Sequence, residues 1–411
     1  MTNILCFQKL ALPFLNLLRF YFMIIDVADR LKVVEEYYFS KKLKEIARLR
    51  LEGRDIINLG IGSPDLLPSK ETTEKIRETV LEVDVNKYQS YVGVPALRNA
   101  MANWYKNIYG VSLNPNSEVM PLMGSKEGIM HLSLAFLNKG DTVLVPNPGY
   151  PTYASVSKIA EAKLQYYSLN AKDNWRPDFE VLKDMDLDKV KIMWVNYPNM
   201  PTGANANIAL FEKLVAFAQE HKILLVNDNP YSLILNDNPL SILQVDGAKE
   251  VALEFNSLSK SHNMAGWRVG MAVGHANYLQ SMLKIKSNMD SGMFKGIQMA
   301  AAQALQNPMS WHQEQNSIYA KRRVWCERIM RELNCVFDPN QTGMFLWAKI
   351  PNWAESSETF VEHILKNTDV FITPGFIFGS EGERYARISL CSDEAVLEEA
   401  LQRVGLLFGI A

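Results

Sequence analysis

The chain has 411 residues, 48% apolar and 21% charged, a globular composition that excludes wholesale disorder. Its 43 Lys and Arg stand against 45 Asp and Glu, a formal net charge of −2, so no global charge draws it to nucleic acid or an anionic membrane. Cys6, Cys326, Cys335 and Cys391 have no CxxC spacing and indicate neither a zinc module nor a disulfide scaffold; the expectation is a cytoplasmic protein that binds no metal.

In chain order, residues 4–25 come first as a strongly apolar stretch, interrupted by Lys9, Pro13 and Arg19. A membrane span needs about twenty uninterrupted apolar residues, and a signal peptide needs its charge in front and a small-residue cleavage site behind. Neither template fits. Residues 1–22 are expected to be an apolar leader outside the working protein, with a second start at Met23; a cryptic targeting segment, or a membrane or partner contact, is the alternative.

Short apolar, β-branched runs then recur at 142–145, 192–195, 223–226, 251–255 and 269–273, separated by helically spaced stretches such as 129–137 and 210–218. Strands without apolar/polar alternation are buried on both faces, and interleaved helices imply parallel crossovers, so the middle of the chain predicts a doubly wound sheet. After about Asn307 a long charged helix (311–333) leads into runs at 344–348, 370–373 and 387–391 and a last helix at 394–407, which predicts a smaller α+β domain. The expected division is 23–66 as an N-terminal segment joining the small domain, 67–306 as the large domain and 307–411 as the small one. Ligands of such sheets bind at the carboxyl ends of the parallel strands.

Three motifs carry chemistry. Met123-Gly124-Ser125-Lys126-Glu127-Gly128 opens a helix, where glycine leaves backbone N–H groups free to cradle an anion. It is not a GxxxxGK[ST] loop, and Gly60-Ile61-Gly62 lacks the third glycine of a dinucleotide fingerprint. Asp228 ends the run 223–226 with Tyr231 three residues on; taken alone, Asp228 is more often a turn residue. A carboxylate there can keep a heteroaromatic ring nitrogen protonated, and the phenol can meet a ring hydroxyl. In Ser257-Leu258-Ser259-Lys260-Ser261-His262-Asn263-Met264-Ala265-Gly266-Trp267-Arg268, Lys260 lies just past a strand among small hydroxyls. By itself it could be a solvated loop lysine, but a desolvated amine is a Schiff-base nucleophile, and Ser257, Ser259 and Arg268 are the donors a phosphate wants. Together the motifs ask for a phosphate, an aldehyde, a basic ring nitrogen and a ring hydroxyl in one molecule, which is pyridoxal 5′-phosphate.

On the Ser-x-Ser-Lys…Gly-Trp-Arg signature the chain, from about Met23 onward, resembles the class I/II aminotransferases of the aspartate aminotransferase type, within the fold type I pyridoxal-phosphate enzymes. The resemblance implies an α/β fold: a large domain with a mostly parallel, seven-stranded type of sheet covered by helices on both faces, plus a smaller α+β domain. It implies ping-pong amino transfer from an L-amino acid to a 2-oxo acid through a Lys260 aldimine, with Asp228 on the ring nitrogen and Tyr231 on the ring oxygen. Ser125, Lys126, Ser257, Ser259 and Arg268 would surround the phosphate, and Tyr150 would stack on the ring. Tyr88 would reach the neighbouring subunit's phosphate in a homodimer, and Ser291 is a second residue with that reach. Arg387 would grip the substrate α-carboxylate, with the Gly62 backbone beside it; without that context Arg387 reads equally as a surface arginine. Met200 stands where the family usually has a cofactor asparagine, so Asn199 is the nearest amide that could turn in. The stretch 286–294 has no arginine for a side-chain carboxylate, which disfavours strict dicarboxylate use unless Lys286 or another loop substitutes. A carbon–sulfur β-elimination lyase is the alternative activity. A transcription regulator built on this domain would want a basic helix-turn-helix in the first sixty residues, which they do not provide.

Overall fold

The computed structural model describes residues 25–34 and 36–408; the leader expected over 1–22 lies outside them. The strands are β1 (Ile57–Asn58), β2 (Val119–Leu122), β3 (Thr142–Asn147), β4 (Lys163–Ser168), β5 (Val190–Val195), β6 (Leu224–Asp228), β7 (Ala252–Ser257), β8 (Gly270–Gly274), β9 (Phe345–Lys349), β10 (Val370–Phe371), β11 (Thr373–Pro374) and β12 (Tyr385–Ser389). Seven of them form one sheet in the order β2-β8-β7-β6-β5-β3-β4. Strands β3 to β7 run parallel, as the unbroken apolar runs of β3, β5, β6 and β7 predict.

Strand β8 departs from that prediction and lies antiparallel to both β7 and β2. Its connection from β7 holds only the four-residue helix Leu258–Ser261 and a 3-10 turn, and no full crossover helix returns the chain to the starting edge of the sheet. Two strands have no counterpart in the apolar runs. Edge strand β4 is half exposed and polar, and β2 has four residues including Pro121.

Neighbouring residues of the central strands enter opposite layers. Ile192, Trp194, Leu224 and Val226 pack on one face of the sheet, Met193, Val195 and Leu225 on the other. Helices therefore cover both sides, and side chains escape the core only at the strand ends. A third apolar cluster joins Ile46, Leu49 and Ile57 to Ile329, Leu346, Phe360 and Val404. There β1 pairs with β10, and β11-β12-β9 form a small antiparallel sheet against the helices Met309–Glu332, Ser357–Thr368 and Glu394–Phe408. Among the described residues no helix is long and apolar enough to cross a membrane.

Trp194 is fully buried and stacks on Tyr153 at 4.9 Å, which in turn supports Asp228. Trp194→Ala is expected to cost about 3–5 kcal/mol, because a large cavity opens under a rigid sheet; the shift of the urea midpoint measures it.

Candidate active site

The carboxyl ends of the parallel strands deliver the site. Asp228 is the last residue of β6, Ser257 the last of β7, Asn196 follows β5, and Tyr150 follows β3. The helix Ser125–Phe136 starts at the same end, straight after β2. A cavity of about 410 Å³ gathers Lys260, Asp228, Tyr231, Ser125, Lys126, Tyr150, Ser257, Ser259, Arg268, Gly62 and Arg387, eleven residues drawn from stretches far apart in sequence.

Lys260 donates to the Gly62 carbonyl, 198 residues away in sequence. Burial lowers its pKa from the ordinary 10.5, and the positive charges of Arg387 and Arg268 press the same way. The amine is thus biased toward its neutral, nucleophilic form. Asp228 takes the Tyr153 hydroxyl on Oδ2 at 2.8 Å, while its other oxygen is buried without a partner. Burial pushes this carboxyl up to about 7; the Tyr153 hydroxyl opposes the shift and the buried Glu254 carboxylate adds to it. Such an oxygen, on a residue that lines the cavity, suits a cationic ring nitrogen, whose charge would bring the carboxyl back down. Burial likewise raises the Tyr231 phenol.

The anion cradle lies beside this pair. Gly124 has φ +85° and caps the helix; any Cβ there would collide with the Arg268 guanidinium. Glycine therefore lets the backbone and Arg268 share one wall. Arg268 donates to Ala265 O at 2.9 Å and lies 3.4 Å from Ser259 Oγ, while Ser257 Oγ caps Ser259 N at 3.1 Å. With the first helical N–H groups of Ser125 and Lys126, these donors fit a phosphate.

Arg387 is 4% exposed and has no carboxylate partner among the described residues. Its Nη2 donates to Gly60 O at 3.0 Å, its Nη1 lies 3.3 Å from Met200 Sδ, and its Nε is unpartnered. Phe345, Phe378 and Phe39 face it at 3.8, 4.8 and 5.8 Å. Burial lowers its pKa from 12.5 to about 10. A guanidinium held in an aromatic box with donors to spare has the chemistry to receive a planar carboxylate.

One expected residue of the cavity lies elsewhere. Asn199 does not turn into the cavity; its Oδ1 accepts from Thr202 Oγ1 at 2.7 Å and Thr202 N at 3.4 Å, closing the turn around Pro201. Met200 lines the cavity in its place, as does Asn196, which accepts Met200 N at 2.7 Å and donates to Asp228 O. Tyr88 is 90% exposed and outside the cavity. Lys286 is 1% exposed and held by Asp290 and Glu127, so it is not available to a substrate carboxylate. Sequence reasoning missed Tyr153, one helical turn after Tyr150, and Tyr37 and Phe39, which enter from the N-terminal segment. Only Tyr153 had a signal, its spacing from Tyr150.

The sequence model of the family "Aminotransferase class I and II" matches residues 54–404. An LL-diaminopimelate aminotransferase of Halothermothrix orenii is 41% identical over 92% of this chain and 98% of its own length. One from Dehalococcoides mccartyi is 39% identical, with the same coverage. The substrate-bound structure of BacF from Bacillus subtilis superposes with a TM-score of 0.89 at 36% identity, covering 94% of this chain and 98% of that one.

The Asp228 carboxyl yields a pH test on the cofactor-free protein. The folded chain holds a proton up to about pH 7 that the unfolded chain releases near its ordinary 3.8. The raised value therefore favours folding below about pH 4, and that contribution fades as pH climbs through 7. Asp228→Asn should flatten the fall in stability across this window by a few kcal/mol. Urea midpoints at several pH values measure the slope.

Proposed function

The chain belongs to the class I and II aminotransferases and is a pyridoxal-phosphate-dependent enzyme of that family; we propose that it works by ping-pong transfer with Lys260 as nucleophile, and that LL-diaminopimelate, or an amino acid of similar length and charge, is its amino donor. The observation that supports this most is the meeting of three groups in one cavity: the depressed amine of Lys260, the unpartnered oxygen of Asp228 and the carboxylate-free guanidinium of Arg387. The relatives' names do not favour the lyase alternative.

Pyridoxal phosphate, when bound, supplies an aldehyde that takes up an amine and a protonated ring that accepts electron density. Ser125 and Lys126 would hold its phosphate through backbone N–H groups, helped by Ser257, Ser259 and Arg268. Asp228 would keep the ring nitrogen charged, held in place by Tyr153. Tyr231 would donate to the ring oxygen, and Tyr150 would cover one face. Met200 can accept weakly but cannot donate, so Tyr231 serves that oxygen without an amide at position 200.

Arg387 would bind the α-carboxylate in two parallel hydrogen bonds, fixing which Cα bond faces Lys260. Lys260, freed as a neutral amine, would take the Cα proton and deliver it back within the same cavity. An amino acid and an oxo acid share the α-carboxylate, so Arg387 and Lys260 serve both half-reactions. For a longer substrate, the Lys126 ammonium is the available cation at the wall, 5.4 Å from the Tyr37 ring and 5.8 Å from the Tyr150 ring. We further propose a homodimer, in which exposed Tyr88 and Ser291 complete a partner's site. The loops that carry them touch: a Cβ on Gly292 would come within 2.5 Å of Gln89 O.

Lys260→Ala should lose all turnover without added amines, and borohydride treatment of the wild type should leave the vitamin on the peptide bearing Lys260. Steady turnover by that variant would refute the nucleophile. Arg387→Ala should lower kcat/KM about 100-fold or more for every amino acid. In a panel with 2-oxoglutarate, LL-diaminopimelate should exceed L-aspartate in kcat/KM by about tenfold or more; the reverse order would overturn the substrate assignment and leave the chemistry standing.

A further inference from the structure

Directly behind the phosphate cradle, the buried side chains of Lys286 and His131 meet two half-buried carboxylates. Glu127, two residues after Ser125, and Asp290, in the loop after the helix Ala276–Lys286, converge on the ammonium of Lys286. His131 joins them through a 2.8 Å hydrogen bond to Glu127 Oε1. The oxygen and nitrogen atoms of Glu127, His131 and Asp290 lie within 4.8 Å of one another, a spacing that could hold a metal ion. Lys286 Nζ contacts both carboxylates, so an ammonium already supplies the cation there.

A lysine 1% exposed is tenable only with such partners, because an unpaired buried charge is costly. The partners in turn shape two loops. Glu127 Oε2 accepts the Met123 backbone N–H, and Met123 O lies 3.5 Å from Arg268 Nη2. The carboxylate therefore holds the Met123-Gly124 turn against which the guanidinium rests. On the other side, Asp290 Oδ1 accepts Gly292 N at 2.8 Å, setting the left-handed turn at Gly292 (φ +87°) that packs on Gln89. Burial opposes ionisation of Glu127, but the His131 hydrogen bond, the Lys286 charge and the Met123 N–H together hold it well below the usual carboxylate range.

We propose that Lys286 is a positioning residue for the phosphate cradle: through Glu127 and Asp290, its buried ammonium ties the 123–126 turn to the 290–292 loop and fixes the spacing between the helix N-terminus and Arg268. This rests on the reading that Ser125 and Arg268 hold the cofactor phosphate. A loosened cradle loses affinity for the phosphate and not for the ring, because Asp228 ends β6, Tyr231 follows it and Lys260 lies in the helix Leu258–Ser261, none of them in the 123–126 turn or the 290–292 loop.

The test compares dissociation constants of pyridoxal phosphate and phosphate-free pyridoxal for the full-length protein, stripped and reloaded. Lys286→Met should weaken pyridoxal phosphate about tenfold or more while pyridoxal changes little. Asp290→Asn, which keeps the acceptor for Gly292 N, should shift the same ratio less, and it decides the matter if Lys286→Met does not fold. Arg268→Met is the control for the cradle. If Arg268→Met changes the ratio and the other two variants do not, the role of Lys286 is overturned alone. If Arg268→Met also leaves the ratio unchanged, the phosphate assignment falls, and with it this proposal.

Discussion

Charge placed out of water ahead of its counter-ion is the constraint on which this site depends. Among the described residues, Arg387 sits between Phe345, Phe378 and Phe39 with no carboxylate. Among the same residues Asp228 keeps one buried oxygen without a donor, and Lys260 meets the Gly62 carbonyl. Each arrangement disfavours the charged form, as the displaced pKa values of all three show. The imbalance is useful because incoming groups of the right charge restore it: a ring cation for Asp228, a carboxylate for Arg387, a carbonyl carbon for Lys260.

The rigidity that sustains such strain comes from the layers beneath. Asp228 is fixed by Tyr153, which stacks on Trp194 at an interplanar angle of 4°. Behind it, Glu254 is fully buried yet takes hydrogen bonds from Tyr105, Asn227 and Ile242. Burial raises the pKa of Glu254 and these donors oppose the rise; where it is ionised, its charge raises Asp228 from a position the three hydrogen bonds fix. The opposite case is Lys286, whose cation is matched locally and is therefore structural.

Met200 shows how one substitution within a familiar motif redistributes work. Its thioether lies against Arg387, and its backbone N–H is held by Asn196, which also binds the Asp228 carbonyl. The Oδ1 of Asn199 is taken by the Thr202 turn, while among the described residues its Nδ2 is buried without a partner. Asn196 thus links the strand that ends in Asp228 to the loop that carries Met200.

The sequence by itself determined the parallel core strands and the cofactor, and it singled out Lys260, Asp228, Tyr231 and Arg268 as the residues to meet that cofactor. These were legible because unbroken apolar runs report burial on both faces, and because three motifs, each with a commoner reading when taken alone, together ask for one molecule at the carboxyl ends of the strands. The tertiary structure decided the rest. The direction of β8 depends on how a short connection closes, and polar β4 gains its place only by pairing with β3. Which way Asn199 faces is a matter of one turn, and Tyr37 and Phe39 reach the cavity only because the N-terminal segment packs back onto the small domain. Lys286 read as a candidate for a substrate carboxylate, and only the fold shows its charge already taken by Glu127 and Asp290. In each case the outcome rests on contacts between residues distant in the chain, which local pattern does not encode.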